Sequence, residues 1–233
     1  MDLSVLFTRR GPAPASSGGG GGGISGTLLS DLEEGSIVLI PENGVNVEFY
    51  VAKQDYESGL NGSGRTLLVR KDCYDVLAWH SASVNAYAES DIDSWLNDDY
   101  KSLLDADIRS SIGTTKFYYT PGNGNNTVTT LERDIFMLSL TELGQTFASY
   151  ANTEGTVLPN ADIYWATYCN GDLVYQWTRT PYTFNKTQVY NLTETSGVQI
   201  RSTSSTYGIR PCFTLPSNAV FDPDTMEFVG VAA

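Results

Sequence analysis

The sequence is poor in the residues that most catalytic and metal chemistry needs. It has one histidine, His80, and three cysteines, Cys73, Cys169 and Cys212, in 233 residues. A single imidazole argues against a histidine-ligated metal centre and against a Ser-His-Asp triad. No two cysteines form a C-x-x-C pair, so a zinc knuckle or thioredoxin-type motif is unsupported. The three are expected to be reduced, small core residues. Basic residues are also scarce, 14 against 27 acidic, for a formal net charge of −13. Without clustered Lys and Arg to neutralise phosphates, no nucleic-acid partner is expected. An anionic membrane surface is equally unsuitable. No run approaches the ~20 apolar residues that span a bilayer, so no membrane insertion is expected. Residues 1–7 lack the basic region and long apolar stretch of a secretory signal.

What fills the space is polar but uncharged. Only 18% of residues are charged, against roughly 25% in average soluble proteins. Ser, Thr, Asn and Gly replace them, with 14 Tyr and 4 Trp. This composition suits a loop-rich β or α+β domain and not a helical bundle. A hydrophobic content of 41% is enough for one sizeable core.

Three divisions follow. Residues 1–16 begin with the apolar Leu3, Val5, Leu6 and Phe7 and end in a Pro-containing stretch that continues neither helix nor central strand. Residues 17–26 hold six consecutive glycines, Gly18 to Gly23, the composition of a tether. Residues 27–233 are globular in composition. Two readings of the first part are open: a solvated tail or cloning scar, and a docking peptide that adds Leu3, Val5, Leu6 and Phe7 to another protein. The apolar side chains favour the second.

Within the globular part, 35–40 and 45–52 read as strands of a hairpin joined by a turn at 41–44, and 65–70 as a third strand. The helical signal lies at 90–112. Ser90 followed by Asp93 makes a capping box. Ile92, Trp95 and Leu96, then Tyr100, Leu103 and Leu104, then Ile108 and Ile112 line one face, with a break expected at 97–99. Residues 134–140 are strand-like, 141–144 a single turn, 173–179 an inner strand and 207–213 the closing strand. Residues 145–165 and 182–206 are expected to be long loops, which compact domains rarely carry without a use.

Four patches stand in a recognisable order: Ser90-Asp91-Ile92-Asp93-Ser94-Trp95-Leu96-Asn97, Asp134-Ile135-Phe136-Met137-Leu138-Ser139, Trp177-Thr178-Arg179-Thr180-Pro181 and Gly208-Ile209-Arg210-Pro211, with Leu215 after the last. This set resembles a bacterial and bacteriophage domain of unknown function over roughly residues 33–218. That domain looks similar to the C-type-lectin-like fold shared with formylglycine-generating enzymes. The resemblance implies an α+β domain: a small antiparallel sheet, two flanking helices and long loops, here preceded by an extended N-terminal arm. The cysteine pair of formylglycine-generating enzymes has no counterpart, which argues against oxidation of a sulfatase; the expectation is a protein that is not an enzyme and holds no cofactor.

Several residues have both a structural and a functional reading. Arg179 and Arg210 sit inside apolar strands. Each is expected to be buried and paired with a carboxylate, the alternative being an anion or sugar contact. Trp95 and Trp177 are expected in the core and not as sugar platforms. Asp91, Asp93, Asp98 and Asp99 could hold calcium, but helix capping explains the first two. Tyr182, Tyr190 and Tyr207 lie in or beside loops rich in Ser, Asn and Gly, the chemistry of adaptable binding surfaces, and are the candidate ligand contacts. The resulting expectation is a non-enzymatic bacteriophage virion protein. Its N-terminal peptide would dock on other virion proteins, and its lectin-like domain would meet a host-surface glycan or protein. The alternatives are a bacterial ligand-binding module and a carbohydrate-active enzyme. A homo-oligomer is left open, since no heptad repeat enforces one.

Overall fold

The computed structural model describes residues 24–145, 151–193 and 197–233. The docking residues Leu3, Val5, Leu6 and Phe7, and all but the end of the glycine stretch, lie outside them.

Among the described residues strand makes up 40% and helix 16%, with one helix longer than six residues. This corrects the expected α+β architecture with two flanking helices. Two five-stranded sheets dominate. The first runs Ile37–Glu42, Val45–Lys53, Arg65–Arg70, Cys212–Pro216, Ile135–Phe136, antiparallel throughout. The second runs Val198–Ser202, Gln188–Leu192, Gln176–Pro181, Thr206–Ile209, Asp75–Ala78, with one parallel pairing, between Gln176 and Gly208. A three-stranded sheet joins Thr27–Leu28 to Ala219–Phe221 and Phe228–Val231. The expected hairpin is present. Asn43 and Gly44 both take positive φ (51° and 77°), the requirement of a tight two-residue turn.

The long loop expected at 182–206 contains two paired strands instead. Gln188–Leu192 and Val198–Ser202 form a five-residue antiparallel ladder. Their polar Gln188, Asn191, Gln199 and Ser202 mask the strand pattern, and the ladder is legible only once paired.

The helical stretch runs continuously from Asp91 to Leu103, with its middle turn, Leu96–Tyr100, wound as a π-helix. Ile92, Leu96, Tyr100, Leu104 and Ile108 are all buried. They recur every four residues. An α-helix repeats every 3.6, so a strict four-residue stripe drifts off the core face; one wider turn brings it back. The break falls at Leu104, which is extended, and not at 97–99. Asp105 then caps a short helix, Ala106–Ser111.

Only half of the capping box forms. Ser90 Oγ accepts the Asp93 N–H at 3.1 Å, but Asp93 does not reach back. Its carboxylate takes Arg133 Nε at 2.8 and 3.0 Å, and the Ser90 N–H goes to the Tyr87 carbonyl. Replacing Ser90 by alanine is expected to cost about 1 kcal/mol, read as a shift of the urea midpoint with an unchanged slope.

Asn97 ties this helix to the first sheet. Its amide donates to the Ile135 carbonyl (2.9 Å), and its Oδ1 accepts from the backbone N–H of Asp134 (3.2 Å) and Ile135 (3.1 Å). The side chain thus binds the strand backbone as a neighbouring strand would, and two of the sequence patches are interlocked.

Candidate functional site

Arg179 and Arg210 are both structural, in different ways: Arg179 lies within Gln176–Pro181, and Arg210 in the link between Thr206–Ile209 and Cys212–Pro216 and not inside a strand. Arg179 is 0% exposed. Its Nη1 donates to Glu142 Oε2 (2.6 Å) and the Met137 carbonyl (2.7 Å), while Nη2 and Nε share the Tyr118 carbonyl. The guanidinium lies over the Phe117 ring, 4.6 Å from its centroid. Glu142, from the turn after the strand-like run, also accepts the Ser139 N–H (2.7 Å) and the Tyr56 hydroxyl. Burial pushes the Tyr56 phenol well up, so it stays a donor. Nearby Glu154 is fully buried. It accepts from the Thr120 N–H and the Thr180 hydroxyl, both at 2.7 Å, and burial raises its pKa. Sequence reading marked neither acid, because nothing local separates a buried glutamate from a surface one.

Arg210 departs from the expectation of a carboxylate partner. It donates to three backbone carbonyls, those of Arg70 (2.6 Å), Tyr164 (2.6 Å) and Lys71, and lies over the rings of Tyr50 and Tyr164. Burial without a counter-ion lowers its pKa. The guanidinium fork suits such carbonyl cages because its donors point several ways at once.

Trp177 is buried, with Nε1 donating to the Leu77 carbonyl at 3.0 Å. Trp95 is half-buried against Tyr74 and Tyr100. Asp91 and Asp93 go to separate partners: Asp91 accepts the Ser81 N–H and lies 3.0 Å from His80 Nδ1, and Asp93 holds Arg133. Among the described residues, no group of three or more His, Cys, Asp or Glu is placed to hold a metal. The three cysteines are buried and free; burial pushes the Cys73 thiol up to about 11.

Of the three candidate tyrosines, Tyr182 and Tyr190 are brought together and Tyr207 lies apart. Tyr190 is 2% exposed and packs edge-on against Tyr182, with ring centroids 5.8 Å apart. The connection between them is held by buried Asn85, whose amide donates to the carbonyls of Tyr182, Asn185 and Gln188. Tyr207 lies on the adjoining strand, at the other end of Gln176–Pro181, where Gln176 pairs with Gly208.

There the surface opens into a groove of about 460 Å³, lined by Val76, Leu173, Val174, Tyr175, Thr206 and Tyr207. Val76 is 40% and Leu173 47% exposed. Tyr207 is fixed from several sides. Trp177 meets it at 4.8 Å and 87°, Tyr175 lies near-parallel at 6.1 Å, and Arg201 Nε donates to its hydroxyl at 3.0 Å. At 6.1 Å near-parallel rings are offset and not eclipsed, so both remain available to the groove. Leu173 projects from the hairpin Tyr168–Cys169/Asp172–Leu173, whose turn residues Asn170 and Gly171 take φ of 53° and 88°. That Asn-Gly pair is a hairpin signal in its own right, and with Tyr175 it could have located the groove from sequence. On the other flank of the hairpin, a recess of about 660 Å³ is lined by Glu48, Arg70, Lys71, Asp72 and Tyr168 among others, with Lys71 paired to Glu48 and Arg70 to Glu42.

Residues 63–217 match the domain of unknown function DUF6273. The chain belongs to this family. All four sequence patches and the whole groove fall inside the DUF6273 span. Its limits coincide with two strands of the first sheet, Arg65–Arg70 and Cys212–Pro216, which pair with each other from Arg65↔Pro216 onward. The hairpin Ile37–Glu42/Val45–Lys53 and the three-stranded sheet lie outside it. No curated protein and no solved structure matches the chain.

Proposed function

We propose that this DUF6273 protein is a binding and presentation module that meets its target through the Tyr175–Tyr207 groove. The observation that carries the reading is the rigid backing of that groove. Tyr207 is held in place by Trp177 and Arg201 beside the exposed Val76 and Leu173, and a pre-organised anchor binds with a smaller ordering cost than a mobile one. The buried ionic groups nearby are committed to the fold: Arg179 to Glu142, Arg210 to carbonyls. The wider role we infer is that of a bacteriophage particle protein, with residues 1–16 as the docking peptide, 17–26 as the tether and the groove directed at a host-surface glycan or protein. The resemblance and the apolar start of the sequence support it.

The test uses the full chain on an array of bacterial surface glycans and on immobilised cell-envelope protein. Leu173→Asp and Tyr207→Ala are each expected to reduce binding at least tenfold with the thermal transition nearly unchanged. Binding indifferent to both changes would overturn the groove as the contact surface. Removing residues 1–16 is expected to abolish co-sedimentation with particles and to leave array binding intact.

A further inference from the structure

The recess beside the hairpin Tyr168–Cys169/Asp172–Leu173 is held more firmly than a surface hollow needs to be. One wall is formed by residues 70–73, and all four carbonyls of that segment are taken by guanidinium donors. Arg210 gives Nε to the Arg70 carbonyl (2.6 Å) and Nη2 to that of Lys71. Arg70 gives Nη1 to the carbonyls of Asp72 (2.8 Å) and Cys73 (2.9 Å). Three of the N–H groups are committed as well, Arg70 to Pro211, Lys71 to Glu48 and Cys73 to Tyr168. Arg210 is buried and donates to carbonyls alone. Burying a cation without a counter-ion is costly, and this wall is part of what the cation fixes. Small-ligand sites are built in this way, with polar groups set in place before the ligand arrives.

The wall presents charges that are mostly paired and acceptors that are open. Lys71 is paired with Glu48 at 2.6 Å, and Arg70 with Glu42 at 3.0 Å. Among the described residues Asp72 is in no ion pair. Its Oδ1 accepts the Tyr168 N–H at 3.3 Å, and Asn46 donates its amide to Glu227 at 2.7 Å. Asn46 Oδ1, Glu48 Oε1, Asp72 Oδ2 and the Tyr168 hydroxyl make no hydrogen bond to a described residue. Lys71 Nζ uses one of its three donors on Glu48. Tyr168, 46% exposed, adds an open aromatic ring.

An anion in the recess would face Glu48 and Asp72, and a cation would face Arg70 and Lys71. A hydroxyl suits both sets, because it donates to a carboxylate or amide oxygen and accepts from an ammonium. The C–H face of a sugar ring packs on the electron-rich face of a tyrosine. The volume of about 660 Å³ lies within the ~300–1,000 Å³ range of small-molecule sites. We propose that the recess is a binding site for a neutral saccharide, with Asn46, Glu48, Lys71 and Asp72 bonding its hydroxyls and Tyr168 packing on one ring. The site is separate from the Tyr175–Tyr207 groove. Tyr168 borders the recess from the first strand of the hairpin, and Leu173 borders the groove from the second. The inference therefore holds whether or not the groove is a contact surface.

The experiment is saturation-transfer difference NMR on the full-length chain. The probes are maltotriose, cellotriose, mannotriose and triacetylchitotriose, beside the anionic sialyllactose and the cationic chitotriose. Saturation transfer is expected to at least one neutral trisaccharide, with a response at least fivefold weaker for the charged ones. Tyr168→Ala and Asp72→Asn are each expected to reduce that transfer at least fivefold with the thermal transition nearly unchanged. Both variants are mild, since Tyr168 is half exposed and an asparagine keeps an acceptor for the Tyr168 N–H. Tyr207→Ala is expected to leave the transfer unchanged. No transfer to any neutral trisaccharide, a preference for a charged one, or transfer indifferent to Tyr168 and Asp72 would overturn the proposal. Transfer lost on Tyr207→Ala and kept on Tyr168→Ala would place the sugar in the groove and overturn it too. If the recess fails while array binding still depends on Leu173 and Tyr207, the groove stands on its own.

Discussion

Replacing Arg179 by methionine is expected to destabilise the domain by about 3–5 kcal/mol, the usual cost of stripping one partner from a buried ion pair. The reason lies in what remains. Glu142 would stay at 0% exposure with the Ser139 N–H and the Tyr56 hydroxyl as donors, but with no counter-charge. The carbonyls of Met137 and Tyr118 would lose their guanidinium donors at the same time. For a domain of this size each kcal/mol lowers the midpoint by about 2–4 °C, so calorimetry resolves the effect easily. Adding Glu142→Gln removes the stranded charge. The double variant is expected to be less destabilised than the sum of the two single variants, by at least about 1 kcal/mol. Strict additivity would mean that Arg179 and Glu142 act independently, and the interior network would have to be reinterpreted.

Gly208→Ala is expected to cost about 2–3 kcal/mol through overpacking. A methyl group there would stand 2.3 Å from Cys73 Sγ and 3.1 Å from the Tyr175 carbonyl. Both neighbours are fixed: Cys73 is buried and bound by Thr167, and the Tyr175 carbonyl accepts the Gly208 N–H at 2.8 Å. The glycine therefore lets three chain segments close on one point. Because the nearest obstacle is a sulfur, Cys73→Ala is expected to recover about half of the loss in the double variant. Chemical denaturation of the four proteins checks this. A Gly208→Ala variant as stable as the parent would show that the segments do not approach so closely.

The sequence carried the local signals well and the pairings poorly. The Asn43-Gly44 hairpin, the Ser90 cap, the buried stripe from Ile92 to Ile108 and the burial of Arg179, Arg210 and Trp177 follow from patterns a few residues long. The π turn at Leu96–Tyr100 was within reach, since a four-residue stripe contradicts a 3.6-residue helix. Other features were not. The ladder between Gln188–Leu192 and Val198–Ser202 uses Gln, Asn and Ser where a strand pattern is expected to show apolar residues, so the stretch reads as loop. The architecture was misjudged for a related reason: a helix signal is local, whereas the pairings that assemble the two main sheets, such as Arg65–Arg70 with Cys212–Pro216 and Asp75–Ala78 with Thr206–Ile209, join residues far apart along the chain. Tyr182, Tyr190 and Tyr207 look equivalent as residues beside polar loops. What separates them is that Tyr190 faces inward and Tyr207 stands next to Leu173 and Tyr175, and both facts belong to register and not to composition.

The family span opens and closes on neighbouring strands, with Arg65 opposite Pro216. Its entry and exit therefore leave the molecule side by side, at a seam already stitched by backbone bonds. The leading hairpin is built onto that seam, with Val45–Lys53 extending the same sheet beside Arg65–Arg70, so the family unit offers its open strand edge as the place where a flank attaches.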